Sequence, residues 1–302
     1  MMKIRFVIKQ LPRWIKMALG RSKFHHKFSL NGVNDSFLYP IDFSDKVKYS
    51  YDHVNGIAKV VLNSGERVDF PIMQAQLALG YWDIYIKNNS LEALSSFCKY
   101  SQHLTLLIQD GRVETWTKIR PDLQSQYSSM AQSLVASVLW RYEVFVLNSS
   151  PDISLKLIDE MLKEDLKNCK YLCLEEIPSS DNSCVLNGWL YSVFSMIELE
   201  MFDISRNFSQ PLKRQMQSIE KYLPMYLCRF GSYYDLSGNY ASPFYHSLHI
   251  LQLKFLLQFY GERFHNISSH FERRNTAISR FIQFFLKAYQ KIREKPFNEI
   301  QN

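Results

Sequence analysis

Nowhere in the chain do about 18 apolar side chains follow one another, so no segment is built to cross a bilayer as a helix. Cysteine is scarce: Cys98, Cys169, Cys173, Cys184 and Cys228 form no paired framework in a chain of 302 residues. That scarcity points to a reducing compartment with buried free thiols, and Cys169 and Cys173 lack the second ligand pair that a metal site would need. Acid is missing altogether from the first 28 residues, where Lys3, Arg5, Lys9, Arg13, Lys16, Arg21, Lys23 and Lys27 carry +8 while the rest of the chain carries −1, against a total of +7. Ile4, Phe6, Trp14, Ile15 and Leu19 interleave with these cations. The segment therefore reads as a basic amphipathic stretch, interrupted by Pro12, that lies on an anionic membrane surface or packs on its own domain. Cations break up each of its apolar stretches, which excludes a signal peptide. The basic patch does not continue into the body, which argues against nucleic acid as a partner. The location expected is cytoplasmic, peripheral at the inner face of the membrane.

What is present is enough apolar content, 46%, for a large core. Residues 29–72 read as short strands in a three-strand meander: Val47–Asp52 alternates, Gly56 turns the chain into Ile57–Leu62, and Asn63-Ser64-Gly65 turns it again toward Val68–Ile72. From Gln74 the apolar period becomes 3.6, giving candidate helices at 74–88, 91–109, 125–148, 153–167, 183–204, 208–226, 243–261 and 268–293. Short connections close antiparallel pairs, and the long ones at 110–124, 168–182 and 227–242 each follow a completed pair. The fold expected is mainly α: an α/α toroid over 73–302, a small antiparallel β meander at 29–72 and the basic segment at 1–28. Its long loops should share one rim around a cleft.

Three rim stretches carry candidate chemistry. Cys173–Gly188 sets Glu175 and Glu176 just ahead of a helix, where the positive end of the peptide dipole favours a carboxylate anion. Acidic residues there are also common caps. Residues 111–121 mix Trp116 with Arg112, Lys118 and Arg120, a combination suited to an acidic sugar through ring stacking and a guanidinium fork. Residues 229–246 open with Arg229, hold four tyrosines, and start a helix at Ser242 (cap) and Pro243, so that Tyr245 and His246 fall in its first turn with His249 on the face of Tyr245. An aromatic anchor packed beneath the loop would present the same pattern.

Five blocks then support a resemblance. Phe70–Gly80 (Phe-Pro-Ile-Met-Gln-Ala-Gln-Leu-Ala-Leu-Gly), Tyr127–Gln132, Val185–Ser192, Tyr233-Tyr234-Asp235-Leu236 and Tyr245-His246 with His249 resemble, in this order, blocks of the D-glucuronyl C5-epimerases of heparan sulfate and heparosan biosynthesis. The resemblance spans roughly residues 57–260. It implies an α/α-toroid catalytic domain, without metal or nucleotide cofactor, that moves the C5 proton of a uronate inside a polysaccharide from one ring face to the other. That reaction requires a base on one face, an acid on the other and positive charge at the carboxylate where enolate charge gathers.

By the resemblance, the catalytic residues are Glu176, Tyr234 and Tyr245, matching the acid of the family's Glu-Tyr-Pro and the tyrosines of its Tyr-Asp-Leu-Arg and Asp-Tyr-His. The substrate-binding set expected around them is Trp116, Lys118, Arg120, Gln132, Asn187, Arg229, His246 and His249. This chain departs from the family at Ile177 (family Tyr), Ser237 (family Arg) and Ser133-Leu134 (family Gly-Gln); it also has a shorter loop before Tyr245 and little of the family's β-domain. Two other readings stay open: a uronate lyase, which begins with the same proton abstraction, and a non-catalytic glycan-binding protein of a capsule or exopolysaccharide pathway. The partners expected are an acidic polysaccharide, a membrane surface against residues 1–28 and a second copy of the chain.

Overall fold

The computed structural model describes residues 2–31, 37–123, 125–168, 171–177, 183–202 and 208–293, with the backbone alone for 2–9 and 164–168. The order is α1 (Met2–Ala18), the antiparallel pair β1 (Ser29–Leu30) and β2 (Ile41–Asp42), then a meander of β3 (Asp52–Val54), β4 (Ile57–Val61) and β5 (Arg67–Val68). Helices α2 (Pro71–Asn88) and α3 (Leu91–Leu106) follow, then the small hairpin β6 (Ile108–Gln109) and β7 (Arg112–Val113). Next come α4 (Ser129–Arg141), α5 (Asp152–Asn168), α6 (Leu186–Met201) and α7 (Ser209–Tyr222). The chain closes with the hairpin β8 (Leu227–Cys228) and β9 (Gly231–Ser232), then α8 (Pro243–Tyr260), α9 (Glu262–Arg273) and α10 (Ala277–Arg293). The protein is thus mainly helical with small antiparallel sheets. Among the described residues no helix is long and apolar enough to cross a membrane.

Helix starts follow local chemistry. Ser90, Ser128 and Ser242 accept hydrogen bonds from the backbone N–H groups of Ala93, Ala131 and Tyr245 at 3.2, 3.3 and 3.3 Å, and Pro71 and Pro243 occupy first-turn positions where the missing N–H costs nothing. Helices α2, α4, α6 and α8 touch in succession, and α3, α5, α7 and α9 pack against them in turn. Every residue of α4 and all of α6 from Leu186 to Leu199 are buried, as befits helices enclosed on all sides. Small side chains let these two approach: Ser137 Oγ lies 2.8 Å from Ser195 Oγ, and Ser192 Oγ donates to Ser129 Oγ at 3.1 Å.

Three sequence expectations need correction. Val47–Asp52 was expected as a strand, but Ser44–Lys48 forms a 3₁₀ turn and pairing begins at Asp52. The turn docks on α2 at Gly80, where a Cβ would stand 2.5 Å from the Phe43 carbonyl oxygen, and that contact overrides the alternating pattern. The helix expected over 268–293 is two, because Thr276 Oγ1 accepts from Ser279 N at 3.1 Å and restarts the chain as α10. Helix α1 continues through Pro12 instead of being interrupted there, and it packs on α8 and α10.

The described parts of the three long loops meet. Trp116 Nε1 donates to the Glu176 carbonyl at 3.3 Å, Leu236 N to the Ser183 carbonyl at 2.7 Å, and Leu186 N to the Tyr234 carbonyl at 3.0 Å. Cys173 and Cys184, expected as free thiols, are joined by a disulfide with Cα atoms 6.1 Å apart, so cysteine spacing does not argue for a reducing compartment. Cys98 and Cys228 are free, and Cys169 lies outside the described residues.

Beneath this end an ion pair ties α4 to α6: Arg141 Nη2 meets Glu198 Oε1 at 2.5 Å, Ser137 Oγ donates to Glu198 Oε2 at 2.7 Å, and Arg141 Nε and Nη1 donate to the carbonyls of Phe37 and Ser137. Arg141 has no exposed surface. Truncating its partner strands a buried cation, so Glu198→Ala should destabilise by roughly 3–5 kcal/mol in urea unfolding, well above a surface substitution.

Candidate active site

Glu176 is placed by the chain's return onto α6. Its carboxylate accepts from Asn187 Nδ2 at 3.4 Å, and a Cβ on Gly188 would lie 2.5 Å from both its Cβ and Oε2. Only glycine admits the carboxylate this close to the start of α6. Glu175 points the other way, taking the Cys184 N–H at 3.1 Å on Oε1 and 3.2 Å on Oε2. Burial pushes Glu176 up to about 8, with the charge of Glu175 adding and the Asn187 amide opposing. The expectation that the helix dipole would keep this carboxyl low is corrected: desolvation outweighs a dipole contribution of about 0.3–1 kcal/mol. Glu175 rises to about 7, chiefly by burial.

Tyr234 and Tyr245 stand together, ring centroids 4.8 Å apart in an edge contact. Burial and then the Glu176 charge raise Tyr245, and the same two causes lead for Tyr234. Tyr245, Glu176 and Asn187 line one cavity of about 110 Å³, so the carboxylate and a phenol from the first turn of α8 converge.

Two further polar groups reach this cavity. Lys46 is buried on the 3₁₀ turn, donates from Nζ to Gln76 Oε1 at 2.5 Å, and is pushed down to about 7 by burial. Tyr191, from the second turn of α6, presents a buried hydroxyl with no hydrogen-bond partner, as does Asn187 through Oδ1. Unpaired buried polar atoms in a cavity that also holds an ammonium group and a carboxylate fit a polar, anionic ligand.

A family model described as D-glucuronyl C5-epimerase C-terminus matches residues 120–273. The chain belongs to this family. The match contains Glu176, Tyr234 and Tyr245 but not Lys46 or Gln76, which enter from the segment before it.

Within this member of the C5-epimerase family, the other expected binding residues part company. Asn187 lines the cavity, whereas Trp116 is buried behind Glu176 with its N–H spent on that residue's carbonyl. Gln132 is wholly buried and holds the β6–β7 hairpin through Val113 N and the Gly111 carbonyl, so it serves the scaffold. Lys118 pairs with Glu66 at 3.5 Å and Arg120 with Asp122 at 2.9 Å, both away from the cavity lining. Arg229 is exposed over the Phe230 ring. His246 and His249 each meet Ser232 Oγ at 3.0 Å beneath the loop, and burial keeps them neutral, with His246 down to about 4. Loop position alone could not tell these inward and outward side chains apart.

At the departures from the family pattern, Ile177 packs half-buried against the core, and Ser237 is exposed with its N–H on Asp235 Oδ1 at 3.0 Å. Neither supplies a cation or a phenol to the cavity. Lys46 was missed because its segment read as a strand. Gln76, inside the block Phe70–Gly80, was the available signal for a polar group on α2.

Because the folded state holds Glu176 near 8 against an ordinary 4.5, its contribution to stability is full at low pH and lost as pH rises through 8. Glu176→Gln should therefore equal wild type in stability near pH 4.5 and exceed it by roughly 3–5 kcal/mol at pH 9, read from urea unfolding at each pH. A difference that shrinks with rising pH would contradict the buried carboxylate.

Proposed function

We propose that the protein inverts C5 of D-glucuronate units to L-iduronate within a heparosan-like polysaccharide, with the helix pairs arranged as an α/α toroid around the site. The observation that carries this reading is the convergence of Glu176, Tyr245 and Lys46 on one cavity. Each meets a separate demand of the reaction: a proton acceptor, a proton donor and positive charge for the carboxylate on which enolate charge accumulates.

In the forward direction the Glu176 carboxylate takes the C5 proton, and the C5–H electron pair moves into the uronate carboxylate, which rests against the Lys46 ammonium. Tyr245 then gives its phenolic proton to C5 from the other side. Tyr234, in ring contact with Tyr245, assists at the phenolate left behind. Return to the starting state needs one proton off Glu176 and one onto Tyr245, both exchangeable with water. The raised pKa of Glu176 suits the task, since a carboxylate near 8 is a far stronger base than one at 4.5.

A non-catalytic glycan-binding role would leave the cost of burying Glu176 without a purpose, because an amide could make the same contacts. Heparosan incubated with the protein in deuterated water should gain deuterium at C5, even where net inversion is slight. Folded protein that binds heparosan and introduces no deuterium would overturn the proposal. The rate should also peak between about pH 7 and 8, because Glu176 must be ionised and Lys46 protonated while burial pushes the first to about 8 and the second to about 7. Lys46→Met should abolish the alkaline fall in kcat/KM along with most of the activity.

A further inference from the structure

Helices α1 and α10 pack on each other and on α8, and neither contains an acidic residue. On α10 the exposed side chains of Ile278, Phe281, Phe285 and Tyr289 recur at helical spacing and form one stripe, with the Phe281 and Phe285 rings 4.7 Å apart. Leu11, Ile15 and Leu19 form an exposed stripe on α1 in the same way. Phe281 is 66% exposed and Leu19 51%, so these side chains do not belong to the core.

A groove of about 720 Å³ joins the two stripes. Ile15 and Leu19 line it from α1 and Phe281 and Phe284 from α10, over Phe244, Leu248 and Leu251 of α8. Both stripes therefore open on the same side of the molecule. Cations surround the groove: Arg21 and Lys27 just after α1, and Arg280 on α10 with its Nε on the neutral Asn275 amide at 2.8 Å. Among its described lining residues there is no acid. Lys16, beside Ile15, is exposed like Arg21 and Lys27, and none of these three forms an ion pair among the described residues.

A contiguous apolar patch rimmed by charge marks an interaction surface, whereas scattered apolar side chains need no explanation. The sign of the rim decides between occupants. A second copy docked about a two-fold axis would set this acid-free face against itself, cation against cation. A hydroxylated sugar polymer would meet the cations but gain little from isoleucine and leucine. An anionic bilayer satisfies both parts, because the apolar side chains enter the acyl boundary while the cations stay at the headgroups.

We propose that α1 and α10 together form a docking face for an anionic lipid bilayer. The N-terminal helix supplies part of the charge and one apolar stripe, and the C-terminal helix supplies the aromatic stripe beside it. Phe244 and Leu248 line both this groove and the Glu176 cavity, so docking would hold the candidate active site close to the membrane surface. The face does not depend on the epimerisation reading.

The test measures binding of the full chain to vesicles of mixed phosphatidylglycerol and phosphatidylcholine and to vesicles of phosphatidylcholine alone, at low and rising salt. Wild type is compared with Phe281→Ser/Phe285→Ser and with Lys16→Ser/Arg21→Ser/Lys27→Ser, all at exposed positions, with the melting temperature and heparosan affinity followed alongside. Wild type should bind the anionic vesicles about tenfold or more tightly than the neutral ones, and salt should release it. Each cation removed should weaken binding about fivefold, and loss of the two rings should weaken it about tenfold or more. Melting temperature and heparosan affinity should stay near wild type in both variants. Equal binding to neutral and anionic vesicles, or none to either, would overturn the proposal. So would unchanged vesicle binding by the Phe281/Phe285 variant, a loss of heparosan affinity in place of vesicle binding, or a lipid-free wild-type dimer that this variant dissociates.

Discussion

The arrangement depends on one contact: the Glu176 carboxylate held against Gly188 and Asn187 at the start of α6, in surroundings that oppose its charge. A core does not keep such a group for stability, since burying a carboxylate costs free energy that an amide or apolar side chain would not. What it gains is basicity. The loops that fix it are braced from both sides, by Trp116 on the Glu176 carbonyl and by Tyr234 and Leu236 bonded to Leu186 and Ser183 at the start of α6. Deeper, Arg141 and Glu198 lock α4 and α6, the two helices on which that end is built.

On the proposed reading, the cation that Ser237 does not supply comes from elsewhere in the chain. Ser237 offers no charge, yet Lys46, on a turn more than a hundred residues upstream, lines the same cavity as Glu176. It gets there because Gly80 lets α2 accept the backbone of Phe43 at close range, which turns Ser44–Lys48 into a 3₁₀ coil aimed at Gln76. The family match begins after this turn, at residue 120.

Much of the helical layout was legible beforehand, because helical apolar period, serine caps and first-turn prolines are local signals, as at Ser242 and Pro243. The pairing of Glu176 with Tyr245 was legible through the resemblance and the even placement of long loops. Side-chain direction was not. Trp116 and Arg120 share a loop, yet one turns under Glu176 and the other toward Asp122, and no periodicity distinguishes them. The strand expected at Val47–Asp52 failed for a related reason: alternation in a short segment is weaker than one backbone docking contact. The joining of Cys173 to Cys184 depended on how the Glu176 loop returns, which spacing does not encode.

If Glu176 and Tyr245 serve opposite faces of one ring carbon, the two variants Glu176→Gln and Tyr245→Phe must fail differently. The decisive measurement is C5 deuterium exchange by each variant on glucuronate-only polymer and on iduronate-containing polymer. The account predicts that each variant retains exchange with one epimer and loses it with the other, with opposite selectivity. Equal loss on both epimers by both variants, or no loss by either, would contradict it.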